Sequence, residues 1–238
     1  DYPRDIDVSR HGTFGGLRLY LRLLSLLPRL RGYDIVQLIN PMFFEIKAER
    51  LYFFYHYLRR HNRRVVLGGF GMDYYWVHEN IKNLPLRYSD FNIGKHLRTD
   101  EVAMRERKDW LDTPKGKLNQ LIAHNCDGII AGLYEYWVCY HPVFPDKTTF
   151  IPYPIVLDHE ISVSDRPQKA PVKIFIGISK GRSAYKGTDV MLKAAKDICK
   201  KYPSDIELRV VEGLPYNEYI KVMRDSDIIL DQLYSYTP

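Results

Sequence analysis

The stretch that most restricts the fold is residues 174–189, Ile-Phe-Ile-Gly-Ile-Ser-Lys-Gly-Arg-Ser-Ala-Tyr-Lys-Gly-Thr-Asp. It opens inside a short β-branched run, Val172 to Ile176, of the kind that fills a strand buried on both faces. Gly177 and Gly181 end that run and permit backbone paths that a side chain would hinder. From Thr188 the apolar residues take helical spacing, with Val190, Met191, Leu192, Ala194, Ala195 and Ile198 on one broad face. Strand, glycine loop and helix in that order leave free N–H groups and the positive end of a helix dipole at the loop. Lys180, Arg182 and Lys186 add cations there, which suits a phosphate or diphosphate. An ordinary strand-to-helix turn with solvated cations fits the spacing equally well. The loop is neither a Walker A sequence nor a dinucleotide glycine pattern.

The same alternation recurs along the chain. Leu17 to Leu27 is apolar, carries Arg18 and Arg22, and reads as a helix covering a sheet, its leucines mostly buried and its arginines at the rim. A basic, leucine-rich helix lying on a membrane surface is the second reading of that segment. Ile35 to Ile39 reads as a strand, and Lys47 to Asn62 as a helix whose Tyr52, Phe53, Phe54, Tyr55 and Tyr57 fill a core. Val65 to Leu67 is a further strand, running into Gly68-Gly69-Phe70-Gly71-Met72-Asp73, a loop with room for a close-approaching ligand. Residues 82–113 are highly charged and offer one helix near Glu101 to Leu111 and no functional reading. Lys115 to His124, Gly128 to Ala131, Leu133 to Tyr140 and Thr148 to Ile151 then alternate helix and strand. Residues 158–171 hold Pro167 and Pro171 and no periodicity, which marks a linker. Beyond it come the glycine-loop unit, a strand at Ile206 to Val211, a helix at Tyr216 to Arg224 and a strand at Ile228 to Leu230. The predicted fold is α/β, with parallel, doubly wound sheets in two domains, 1–157 and 172–238.

Composition narrows the function only slightly. Lysine and arginine exceed aspartate and glutamate by 35 to 29, a net charge of +6, which admits an anionic ligand, an anionic membrane or nucleic acid. No apolar run approaches the roughly 20 residues that span a bilayer. Cys126, Cys139 and Cys199 are widely spaced and show no metal-ligand pattern, so reduced thiols in the cytoplasm are expected. The chain opens on Asp1, and the start of the protein is expected to lie before it.

Several short motifs, taken together, resemble the nucleotide-sugar glycosyltransferases of the GT-B fold, retaining family four. In the second half these are Gly177, Arg182, Lys186-Gly187-Thr188-Asp189, Gly213-Leu214-Pro215-Tyr216-Asn217-Glu218-Tyr219 and Ser226-Asp227-Ile228-Ile229-Leu230-Asp231. In the first half they are Gly32-Tyr33-Asp34-Ile35-Val36, Asp127-Gly128-Ile129-Ile130-Ala131 and Ile151-Pro152-Tyr153-Pro154-Ile155. The family's opening strand and glycine-rich loop are not among residues 1–238, nor is its paired-glutamate motif. Extra residues also stand between Gly177 and Arg182. The resemblance implies two Rossmann-like domains facing a cleft, both incomplete here, so that residues 1–238 by themselves are expected to transfer no sugar. It implies that Gly177, Arg182, Lys186, Leu214 and Pro215 hold the donor. Arg182 and Lys186 would neutralise the leaving diphosphate without a metal or cofactor, and Leu214 and Pro215 would lie against the nucleobase. Gly69, Phe70 and Asp73 would face the acceptor, and no catalytic base is assigned.

The implied reaction is sugar transfer, with retention, from a nucleotide sugar to a glycan or lipid-linked acceptor, as in cell-surface polysaccharide synthesis. It would take place in the cytoplasm, with peripheral contact at the inner face of the membrane. A nucleotide-sugar epimerase of the same fold would use the same diphosphate site without an acceptor. The non-enzymatic alternative is a basic module binding membrane or nucleic acid. No nucleic-acid motif is present, and no nucleic-acid partner is expected.

Overall fold

The computed structural model describes Ile6, Val8 and residues 15–154, 170–178 and 183–234. These residues form α/β structure with parallel sheets and divide into two compact units. One takes in the described residues as far as Arg87 together with Phe91–Pro154; the other joins Tyr88–Asp90 to the described residues after 154. Of the expected linker at 158–171, all but Ala170 and Pro171 lies outside the described residues.

In the first unit α1, Gly15–Leu26, precedes β1, Ile35–Leu38. Helix α2, Ala48–His61, then carries the chain to β2, Arg64–Gly69. Leu51, Phe54, Tyr55 and Leu58 recur at helical spacing on α2 and are all buried, so one stripe of the helix covers the sheet. Helix α3, Tyr74–Lys82, comes next, followed by a small antiparallel hairpin, β3 at Asn92–Ile93 and β4 at His96–Leu97. The unit ends with α4 (Glu101–Trp110), α5 (Pro114–Asn125), β5 (Gly128–Ala131), α6 (Tyr134–Tyr140) and β6 (Thr148–Phe150). Strands β1, β2, β5 and β6 pair in parallel in that order, each beside the one before it. Among the described residues this sheet therefore winds one way, without the reversal of a doubly wound order.

Three features of this unit differ from the sequence expectation. Helix α3 has no counterpart there, because its buried positions include Glu79 and Asn80 beside Tyr75, Trp76 and Val77, and polar residues mask the period. The charged segment 82–113 is also well packed. It encloses a second core of Trp76, Val77, Leu86, Phe91, Ala103 and Trp110. Buried Asn92 ties that segment together, its amide donating to the carbonyls of Leu86 and Gly94, both at 2.9 Å. Helix α1 is divided between core and solvent: Leu19 and Leu23 are buried, whereas Leu17 and Leu21 are 56% and 57% exposed. Its leucines are buried on one face only.

The second unit is smaller. Strand β7, Val172–Ile178, is followed by a helical turn α7, Ser183–Lys186, and by α8, Thr188–Lys201. Strand β8 (Ile206–Glu212), helix α9 (Tyr216–Arg224) and strand β9 (Ile228–Leu230) complete it. The parallel sheet has the order β8-β7-β9, so the chain leaves β7 toward one flank and returns past it to the other. Right-handed crossovers of this kind put α8 and α9 on opposite faces. In keeping with this, Tyr219 of α9 packs edge-on against Phe175 at 5.1 Å, and the two side chains flanking Phe175, Ile174 and Ile176, are buried on the other face. Asp225 accepts from Arg209 and Lys173 at the start of the strands, and those two cations hold its carboxyl below the usual value.

Candidate functional site

The reversal of strand order at β7 makes the carboxyl ends of β7 and β9 a topological switch point, the place in open parallel sheets where ligands are bound. Strand β7 continues to Ile178, and Gly177 is its last residue but one. A Cβ there would meet the Tyr219 hydroxyl at 2.6 Å, so glycine is what lets α9 lie close to the strand end. Ser179 to Arg182, with two of the three sequence-predicted cations, lie outside the described residues.

Lys186 is described. It closes the α7 turn, and its ammonium stands 3.6 Å from the Asp231 carboxylate, which immediately follows β9. The backbone of the two strand-end loops is joined as well, the Leu233 N–H donating to the Lys186 carbonyl at 2.8 Å. Gly187 comes next, in the left-handed region at φ 73°, and stands at the N-cap of α8. A Cβ at Gly187 would lie 2.8 Å from the Leu233 Cβ and 2.9 Å from the Tyr234 ring. Glycine is thus required both by the backbone angle and by the approach of the β9 loop.

With glycine at the cap, no side chain caps the first N–H groups of α8. Thr188 sits at the same place, almost fully buried, and its hydroxyl has no hydrogen-bond partner among the described residues. Asp189 in the first turn is exposed and complements the dipole. Burial first, and then the nearby Asp231 carboxylate, push the Tyr219 phenol above its ordinary value. One small region therefore gathers a lysine, a carboxylate, a phenol and an uncapped helix start. Leu214 and Pro215 follow β8, where Gly213 turns at φ 70° and a Cβ would meet nothing within 4 Å. Leu214 is exposed, as are Pro215 and Tyr216.

In the first unit, Gly69, Phe70 and Asp73 come together where β2 passes into α3. Gly69 admits the Tyr140 ring, which would stand 2.9 Å from a Cβ there. Phe70 packs on Tyr153 at 5.4 Å, and the Tyr153 hydroxyl donates to the Phe70 carbonyl. Asp73 is turned inward: it is buried, caps α3 by accepting from the Trp76 N–H, and accepts from the Tyr140 hydroxyl at 2.8 Å. Asn119 donates to Tyr140 and accepts from the Tyr74 N–H, closing the network. Burial pushes the Asp73 carboxyl up to about 6 despite those hydrogen bonds.

Asp231 and Tyr219 carry no assigned role in the sequence reading, although both stand in its motifs. The one signal for Asp231 in the sequence is its position directly after the apolar run Ile228 to Leu230. A scan against protein-family models and a search of curated proteins find no match for this chain. Among the described residues no three His, Cys, Asp or Glu side chains gather as metal ligands.

Proposed function

We propose that the chain belongs to a glycosyltransferase that moves a sugar from a nucleotide-diphosphate donor to a glycan or lipid-linked acceptor, with retention. The observation that carries this reading is Lys186 beside the uncapped start of α8, at the strand reversal of a parallel sheet. Cation and helix dipole then act on one diphosphate. The order of motifs along the chain supports the finer reading of two Rossmann-like domains in a GT-B arrangement, with the donor on the second. It also supports a place in cytoplasmic polysaccharide synthesis.

In this account the diphosphate lies across the carboxyl end of β7. The bond between the sugar's anomeric carbon and the diphosphate oxygen breaks, and its electron pair goes to that oxygen. The acceptor's hydroxyl oxygen bonds to the anomeric carbon on the same face, and its proton passes to the departing diphosphate. Lys186 and Arg182 neutralise the growing charge, arginine by paired contacts and lysine as a point charge. The Lys186 ammonium leaves Asp231 for the phosphate as the donor enters. Leu214 and Pro215 lie against the base, and Gly69 and Phe70 border the acceptor. Asp73 supports that border from inside, through the start of α3.

Steady-state turnover and nucleotide binding of the full-length protein test this reading. Lys186→Ala is expected to lower kcat about a hundredfold, the loss typical of removing one group that stabilises developing charge. Binding of UDP, GDP or ADP should weaken far less, because the contact strengthens as the bond breaks. Lys180→Ala, outside the family motif, is expected to be mild. Normal turnover by Lys186→Ala with a crippled Lys180→Ala would overturn the assignment.

A further inference from the structure

The outer face of α1 is not used by the proposed reaction. Leu17 and Leu21 are four residues apart and share one side of the helix, as do Arg18 and Arg22 beside them. All four are exposed, and Ser25 continues the stripe. The opposite side carries Leu19 and Leu23, which are buried in the core. The helix is thus anchored from behind and presents leucine and arginine outward. Arg29 and Arg31 follow, both exposed. None of these four arginines forms an ion pair among the described residues, and no acidic residue occurs from Gly15 to Tyr33. At the Leu17 end, acidic groups do appear. A groove of about 630 Å³ beside it is lined by Glu45, Glu49 and Asp109, balanced by Lys47, Arg50 and Lys115.

We infer that this face docks on an anionic lipid surface. Exposed leucines among arginines that pair with no described residue match a membrane interface, where apolar chains enter the acyl boundary and guanidinium groups meet phosphates. A nucleic acid would satisfy the arginines but leave the leucines in water. A second copy joined across a two-fold axis would bring like charges together. No helix among the described residues is long and apolar enough to cross a membrane. It rests on α1 alone and is independent of the donor site.

Vesicle sedimentation with the full-length protein tests the inference. Vesicles of phosphatidylcholine alone are expected to bind little. Adding phosphatidylglycerol should produce binding that grows with the anionic fraction and fades with salt. Arg18→Gln combined with Arg22→Gln should lower partitioning about 25-fold, since each basic side chain near such a surface is worth roughly fivefold. Leu17→Ser combined with Leu21→Ser should lower it several-fold. Lys193→Gln with Lys196→Gln, two exposed positions on α8, removes the same charge and should change little. All these side chains are exposed, so thermal melting should be unaffected. No binding to anionic vesicles, or an equal loss from the α1 and α8 charge variants, would overturn the inference. So would a dimer dispersed by the leucine variants.

Discussion

Two strand-to-helix junctions in this chain share a glycine-bearing sequence and differ in how the helix start is satisfied. At β2–α3, Asp73 caps the helix, and Tyr140 and Asn119 complete its hydrogen bonding inside the core. At β7–α8 the capping position is Gly187, which has no side chain to offer, and Lys186 stands beside it. The first junction is closed by the protein's own groups. The second has no side-chain cap. Glycine content alone does not separate the two junctions; the residue at the cap does.

The largest effect expected from this contrast concerns Asp73. Its carboxyl titrates near 6 in the folded chain, against an ordinary 3.8, because burial disfavours the charged form. Between those values the folded state holds the proton and the unfolded state does not. The stability that depends on this group is therefore complete below pH 3.8 and is lost as pH rises through 6. Asp73→Asn keeps a cap and removes the titration. Urea unfolding across that pH range should show the native chain losing on the order of 3 kcal/mol that the variant retains. Equal slopes would mean that Asp73 is better solvated than its surroundings indicate.

Gly187→Ala should come next. The left-handed angle costs a residue with a Cβ about 1–2 kcal/mol, and the new methyl would press on Leu233 and Tyr234. The midpoint of unfolding of the second unit should fall, and diphosphate binding with it. A neutral outcome would show that the β9 loop yields easily.

Asp231→Asn should have the smallest effect, and its sign is informative. The pair with Lys186 is partly exposed, its side chains retaining 21% and 37% of their accessible surface. A pair of that kind is worth at most about 1 kcal/mol. Removing the competing carboxylate should tighten nucleoside diphosphate binding a few-fold by calorimetry. Weaker binding would mean that Asp231 orients Lys186 rather than competes with the ligand.

Much of the frame was legible in the sequence. The run Gly128-Ile129-Ile130-Ala131 is too short for a helix and centred on β-branched residues, so it reads as a strand. The helix from Thr188 declares itself by its apolar period. Helix α3 does not, since its buried face carries Glu79 and Asn80 and its start depends on a cap formed by Asp73. The inward turn of Asp73 was likewise hidden. A capping aspartate and a surface aspartate look the same in sequence, and only the Tyr140 hydroxyl, 67 residues away, distinguishes them. Strand order was also invisible. It is the placement of β9 beside β7 that brings Asp231 to Lys186.

We propose that the start of α8 receives a diphosphate, whereas the start of α3 is already satisfied by Asp73. Hydrogen exchange read at single amides, with and without a saturating nucleoside diphosphate, compares the two directly. Slower exchange is expected at Thr188, Asp189 and Val190 on addition of the nucleotide, with no change at Tyr74, Tyr75 and Trp76. Protection at the α3 amides, or none at the start of α8 under conditions where the nucleotide is bound, would contradict it.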